Sequence, residues 1–368
     1  MSKTPILHVA PFLWSGAGRV ITRLCADQRA HREVVLVTTG ASEGLVDWPS
    51  YRRTLQAAGV THRRVDVFHR DPARFFTGVS RLAALITDLA PGVIHAHAGV
   101  PSAAAAIART QTGSRARLIA QMYSWGVGRP AWMDTQDAWA FRQADRVVCS
   151  AHAYRHLLVG HGVPAARLTY LPWGLDLEAL RFRPPPRPAA PAPAIGFVGR
   201  IEPRKGQLTL VQAFARLQRL EPAARLTLVG PVADEAYARA LTTEVSRLGL
   251  QHAVHITGQV RDVAALVRDW QLFVSMSSDE GQGLAVLEAM ALGVPVVARR
   301  VAGIEDFLQH GRTGWTIDGG GAAAAATAMR GALQHDQTAA IVRRARAQVE
   351  RRYDWATMLR RFDRIYRA

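Results

Sequence analysis

Short apolar runs alternate with longer segments whose apolar residues recur at helical spacing. In the first half, the runs Ile6–Pro11, Val34–Thr38, Val93–Ala98, Leu118–Met122, Arg146–Ser150 and Leu168–Pro172 predict strands. Segments such as Val20–Arg29 and Pro101–Thr110 predict the helices between them. Near-continuous apolar strands separated by helices are the signature of a parallel sheet covered on both faces. The stretch "RFRPPPRPAAPAPA", residues 181–194, interrupts this rhythm, since prolines remove backbone donors and fix φ. The alternation then restarts with Ile195–Val198, Leu226–Val229, Val254–Thr257, Leu272–Met276, Pro295–Ala298 and Trp315–Ile317. The pattern predicts an α/β chain of two doubly wound, Rossmann-like domains facing each other across a cleft. Ligands of such sheets bind at the carboxyl ends of the strands.

Length and composition agree with two globular domains: 368 residues, nearly half hydrophobic and a fifth charged. No apolar stretch approaches the ~18 residues needed to span a bilayer, and the start of the chain does not read as a secretory signal. Cys25 and Cys149 show no metal or redox spacing. These features point to a cytoplasmic protein. The net charge is +17, which suits nucleic acid, an anionic membrane surface, or simply an arginine-rich composition. No zinc-finger or RNA-recognition motif is present, so specific nucleic-acid binding is not expected.

Two glycine-containing turns follow first strands. "WSGAGRV", 14–20, carries Gly16 and Gly18. Glycines allow close backbone approach and a helix start favours an anion. The fit to a dinucleotide fingerprint is partial, because Ile21 takes the third glycine position and no acidic residue closes the second strand. "FVGRIEPRKGQ", 197–207, places Arg200 and Lys205 around a turn at a helix start. Lys205 is notable in a chain with 46 basic residues, of which only Lys3 and Lys205 are lysine. A planar fork and a compact point charge together suit a diphosphate.

The most specific stretch is "SSDEGQGLAVLEAMALGVPVVA", 277–298. Glu280 and Glu288 are separated by seven residues, and Gly283 and Leu284 offer backbone N–H groups at a helix start. Glu288, about one turn into that helix, can accept hydrogen bonds from a diol. Glu280, in the loop, can face a sugar ring. The Glu, seven residues, Glu motif with its companion "GR…KG" resembles the donor domain of the retaining glycosyltransferases of family 4, which have the two-domain GT-B fold. "VARRVAGIEDFLQHGRTGWTI", 297–317, resembles the family's continuation, with Asp306 for the more usual glutamate. The first half is similar more loosely. "SGAGRV" has Ser15 for the usual first glycine, "VIHAHAG" matches the acceptor-side strand end, and "LPWGLD" has Trp173 for a usual asparagine.

The resemblance implies that Arg200 and Lys205 bind the diphosphate of a UDP- or GDP-sugar and Glu288 its ribose. Glu280 and the amides of Gly283 and Leu284 hold the transferred sugar, and Gly16 lies near the donor phosphates. Alternation along "HAH" puts His95 and His97 on one face; the family pattern favours His97 as the group that orients or deprotonates an acceptor hydroxyl. Tyr123 stands where relatives often have histidine and offers a stacking wall for a sugar. No metal and no cofactor beyond the co-substrate is expected, since no DxD motif ends a strand. The implied domains are 1–180 for the acceptor, 181–193 as linker, 194–345 for the donor, and 346–368 as a last helix crossing back. That helix is amphipathic, with Trp355, Leu359, Phe362 and Tyr366 near one face, which points to core packing. The expected activity is retaining, metal-independent transfer to a glycan, lipid-linked or small-molecule acceptor, with an anionic membrane surface as a further partner. The rivals are a same-fold nucleotide-sugar epimerase and a non-catalytic sugar- or nucleic-acid-binding protein.

Overall fold

A computed structural model describes residues 4–45, 47–69, 71–126, 130–184, 192–319 and 321–367. Lys3, Arg70 and residues 185–191 of the proline-rich stretch lie outside these. The chain forms two compact units: Met1–Trp173 with Met358–Ala368, and Gly174–Thr357.

The first unit holds seven parallel strands: β1 (Ile6–Val9), β2 (Val34–Thr38), β3 (Thr61–Arg64), β4 (Val93–His97), β5 (Arg117–Met122), β6 (Arg146–Cys149) and β7 (Leu168–Tyr170). Their order is β3-β2-β1-β4-β5-β6-β7. β1, β2 and β4 are buried along their whole length, as expected where helices cover both faces. The order reverses between β1 and β4, whose register sets His8 beside His95. β3, "THRR", was not anticipated from the pattern. It is an edge strand with two exposed arginines and no apolar alternation, the usual way a sheet edge is kept from pairing with another chain.

The second unit holds six parallel strands: β8 (Ala194–Val198), β9 (Arg225–Val229), β10 (Val254–Gly258), β11 (Leu272–Ser275), β12 (Val296–Arg299) and β13 (Trp315–Ile317). Their order is β10-β9-β8-β11-β12-β13. The reversal falls between β8 and β11, paired through Leu272 with Ile195 and Phe273 with Gly196. Buried Phe197, Phe214, Phe273 and Phe307 anchor the packing on either side of this sheet. Leu175 and Leu180 belong to this unit's core, so the division between units falls ahead of the proline-rich stretch.

The last helix, Trp355–Arg367, buries Trp355, Met358, Phe362 and Tyr366. Met358, not Leu359, continues its apolar face. Its end belongs to the first unit, where the Arg361 guanidinium donates to the Tyr170 carbonyl at 2.8 Å. No described helix is long and apolar enough to cross a membrane.

Candidate active site

In the second unit, β8 and β11 are neighbours only because of the strand order, and their trailing loops therefore meet. Lys205 and Glu280, 75 residues apart, join with Nζ 2.6 Å from Oε1. Both side chains are largely covered, at 13% and 14% exposure. Arg200 donates to Glu202 Oε1 at 2.9 Å and Arg204 to the same oxygen at 3.0 Å. Arg204 also donates to the Asp279 main-chain oxygen at 3.1 Å, and its Nη1 lies 3.4 Å from Asp279 Oδ2. Three cations thus interleave with three carboxylates. Burial pulls the Arg200 guanidinium below its usual pKa, while Glu202 opposes the shift.

Glycine positions hold these loops together. Gly206 sits at φ +69°, and a Cβ there would run into the Met276 carbonyl at the end of β11. A Cβ on Gly303 would run into the Glu280 carbonyl and meet Gln282 N at 2.8 Å. Gly283, at φ +67°, precedes the helix Leu284–Leu292, whose first N–H groups have no intrahelical acceptor. Glu288 lies on that helix, half-buried. The donor-side residues expected from sequence, Arg200, Lys205, Glu280, Gly283, Leu284 and Glu288, therefore all stand on two loops and one helix start at the point where strand order reverses. Glu202, Arg204, Asp279 and Gly303 were not singled out. All four lie inside the quoted stretches, and for the first three the alternating charge is the signal available.

In the first unit, the turn after β1 opens the helix Ser15–Arg29. Ser15, which replaces a usual glycine, adopts φ 56°, a left-handed conformation that costs a non-glycine residue energy. Its N–H donates to Asp47 Oδ2 at 2.9 Å and its carbonyl accepts from the Tyr51 hydroxyl at 2.7 Å. Gly16 follows it, half-buried. A Cβ on Gly18 would meet Leu13 C and Tyr51 Cε2, each at 2.8 Å, so that glycine serves packing.

His97 ends β4 with no exposed surface. Its Nε2 lies 3.0 Å from His8 Nδ1 and its Nδ1 2.8 Å from the Tyr123 hydroxyl. Burial, then His8, pushes its pKa well below the usual range. Both nitrogens are thus engaged inside the protein, and the expectation that His97 itself meets an acceptor does not describe this arrangement. Tyr123 is half-buried, and one face of its ring stacks on Trp173, centroids 5.5 Å apart and planes 18° from parallel. Trp173, the residue that departs from the usual asparagine, therefore serves as a wall behind Tyr123. His8 Nε2 bonds Gln28 Oε1 at 2.7 Å, Gln28 Nε2 donates to the Tyr366 hydroxyl at 3.1 Å, and that hydroxyl lies 2.8 Å from His95 Nδ1. His8, His95 and His97 are also the one group among the described residues with metal-ligand spacing, their ligand atoms within 4.8 Å of one another. Hydrogen bonds account for five of the six ring nitrogens without a cation.

Two parallel-sheet units, the second with a charged loop pair at its strand-order reversal, fit the GT-B fold class. The model of the "Glycosyltransferase Family 4" domain matches residues 14–179, and that of "Glycosyl transferases group 1" matches 192–335. The chain belongs to glycosyltransferase family 4, and its chemistry is glycosyl transfer from a nucleotide sugar. Among curated proteins, it is 28% identical over 305 residues to a glycogen synthase of Mycobacterium tuberculosis, covering 78% of this chain and 72% of that one. It is 32% identical over 219 residues to a GDP-mannose-dependent alpha-(1-6)-phosphatidylinositol monomannoside mannosyltransferase of the same species, covering 53% and 54%. Among solved structures, Anabaena HepE in complex with UDP and glucose superposes with a TM-score of 0.82 at 20% identity, covering 98% of this chain and 99% of that one. A Rickettsia africae glycosyltransferase gives 0.83 at 18%, covering 100% and 98%.

Proposed function

We propose that the enzyme is a retaining, metal-independent hexosyltransferase that uses a UDP- or GDP-hexose and delivers the sugar to a glycan or lipid-linked acceptor of the cell envelope. The observation that carries this reading is the Lys205–Glu280 pair at the meeting of the β8 and β11 loops. A donor diphosphate arriving there supplies Lys205 with a new counter-charge and turns Glu280 towards the sugar. Arg200 adds a planar fork beside it. Glu288, on the adjoining helix, takes the ribose hydroxyls. As the nucleoside diphosphate departs, negative charge grows on its terminal oxygens, and fixed cations stabilise that charge without reorganising. This is the part a metal ion plays in enzymes that bind one. Retention is what the resemblance of the Glu, seven residues, Glu motif implies.

The relatives draw on both nucleotides: the mannosyltransferase is named for GDP-mannose and HepE was crystallised with UDP. A thermal-shift comparison of UDP with GDP selects the base. Product anomers read by proton NMR test retention: an α-linked product from an α-linked donor is expected, and a β-linked one overturns it. Turnover undiminished in EDTA supports the metal-free reading, and loss rescued by magnesium or manganese overturns it. Turnover without any acceptor would favour the epimerase reading.

Attachment to an anionic membrane surface is part of the proposal. It is supported by the net charge of +17 and by exposed Arg63, Arg64, Arg74 and Arg81 in the acceptor unit. Phe76, 54% exposed beside its edge-on partner Phe75, adds an apolar contact.

A further inference from the structure

Donor and acceptor accounting gives the buried network of the first unit a direction. The Met122 carbonyl can only accept, so Gln121 donates to it through Nε2 at 3.2 Å, leaving Gln121 Oε1 as an acceptor. That oxygen and His95 Nε2 are both buried and neither has a hydrogen-bond partner, while the two side chains lie close enough for Gln121 to act on the His95 ring. Only an Nε2–H on His95 suits both. Burial holds His95 neutral, so its Nδ1 accepts, and the Tyr366 hydroxyl must donate to it at 2.8 Å. The Tyr366 oxygen in turn accepts from Gln28 Nε2 at 3.1 Å. The other end of that amide, Oε1, accepts from His8 Nε2–H at 2.7 Å. His8 Nδ1 then accepts from His97 Nε2–H at 3.0 Å, and His97 Nδ1 accepts from the Tyr123 hydroxyl at 2.8 Å. Every bond runs the same way. The chain leaves Tyr123, passes through three imidazoles, Gln28, Tyr366 and Gln121, and ends on Met122, the residue before Tyr123; six of its steps are hydrogen bonds and the seventh, His95 to Gln121, is the meeting of two otherwise unpartnered groups.

Six of the seven side chains are buried: His8, His95, His97 and Gln121 are fully enclosed, and Gln28 and Tyr366 are 6% exposed. Tyr123 alone is half-buried. We propose that His8, Gln28 and Tyr366 are positioning residues for Tyr123: their one-way chain commits the Tyr123 proton inward to His97, so the Tyr123 oxygen offers lone pairs and accepts a hydrogen bond from an acceptor hydroxyl. The acceptor clause rests on the reading of the first unit as the acceptor side. An acceptor hydroxyl held as a donor keeps its own lone pair for the sugar carbon. His97 is not the base in this arrangement, because its Nδ1 already holds the Tyr123 hydrogen bond and an imidazolium there would be buried without a counter-charge. The last helix thereby acts on the acceptor side through one hydroxyl, that of Tyr366.

The test is a long-range proton–nitrogen correlation spectrum of the full-length protein labelled with 15N-histidine, at pH 7. His8, His95 and His97 are all expected as Nε2–H tautomers. The opposite direction would make all three Nδ1–H, and an Nδ1–H or doubly protonated ring at any of them overturns the proposal. This result does not depend on what the first unit binds, so its failure leaves the acceptor reading standing. Tyr366→Phe keeps the ring and removes the hydroxyl that latches Gln28. Its folding is checked by thermal unfolding, and mixed tautomers at His8 and His97 are expected. Unchanged tautomers in a folded Tyr366→Phe protein overturn the role given to Tyr366.

Discussion

Lys205 Nζ lies 2.6 Å from Glu280 Oε1, joining the β8 and β11 loops across 75 residues of sequence. Each charge is largely covered and each satisfies the other, and removal of one leaves its partner poorly solvated. Lys205→Ala is therefore expected to weaken nucleoside diphosphate binding by about 1.5–3 kcal/mol, the range for a charge-assisted hydrogen bond. Calorimetry at fixed salt measures this, and unchanged affinity would remove Lys205 from the donor site. Lys205→Arg is expected to lose activity as well, because a planar fork does not fit where a point charge meets Glu280.

Gly303 predicts a separable effect. A Cβ there would push on the Glu280 carbonyl and on Gln282 N, displacing the carboxylate loop. The Lys205 turn stays anchored by Gly206 against Met276. Gly303→Ala is expected to cost about 1–3 kcal/mol of stability by overpacking and to lower transfer by more than tenfold, while nucleotide affinity stays within a few-fold. Equal losses of nucleotide affinity and transfer would mean that the two loops move as one.

His8 predicts a pH dependence of stability. Burial lowers its pKa to about 4, with the Gln28 hydrogen bond opposing, whereas the unfolded chain titrates near 6.5. Between these values the unfolded state binds more protons. The stabilisation is therefore complete above about pH 6.5 and is lost progressively as pH falls towards 4, to roughly 3 kcal/mol from His8 alone. His95 and His97, pushed well below their usual range by burial, act in the same direction. Urea midpoints at pH 7 and pH 5 should drop steeply for the wild type and less for His8→Asn. Equal slopes would show that His8 is not held neutral.

Membrane attachment predicts binding to anionic vesicles and none to neutral ones. Each arginine near the surface adds on the order of 1 kcal/mol, and screening within about 10 Å at 0.1 M salt should abolish the effect. Co-sedimentation reads this directly. A protein that ignores anionic vesicles at low salt would leave the donor site untouched and remove the membrane from the account.

Strand positions were legible because continuous burial writes itself as apolar runs: Val34–Thr38 and Trp315–Ile317 appear in the pattern with their final bounds. β3 was not, because an edge strand of Thr, His and two Arg carries no apolar signal. The donor motifs were legible as motifs. Their meeting was not, since the pairing of Lys205 with Glu280 follows from strand order, which local patterning does not encode. Gly303 carries no signal in the sequence, because the Glu280 carbonyl that excludes a side chain there comes from a different loop. The His8–Gln28–Tyr366 chain was hidden for the same reason: its members sit on a strand, a helix and the last helix, and only His95 and His97 shared a visible face.

The central claim is that the β8 and β11 loops form the donor site, with Lys205 serving binding and Glu280 serving transfer. The most direct measurement pairs calorimetric nucleotide affinity with initial rates of nucleoside diphosphate release, for wild type and Glu280→Gln. The account predicts that Glu280→Gln binds the nucleotide at least as well as wild type, because Lys205 no longer has a competing carboxylate, while release falls by roughly 10²–10³, as when a group that stabilises the transition state is removed. Release at the wild-type rate, or nucleotide affinity lost together with release, would contradict it.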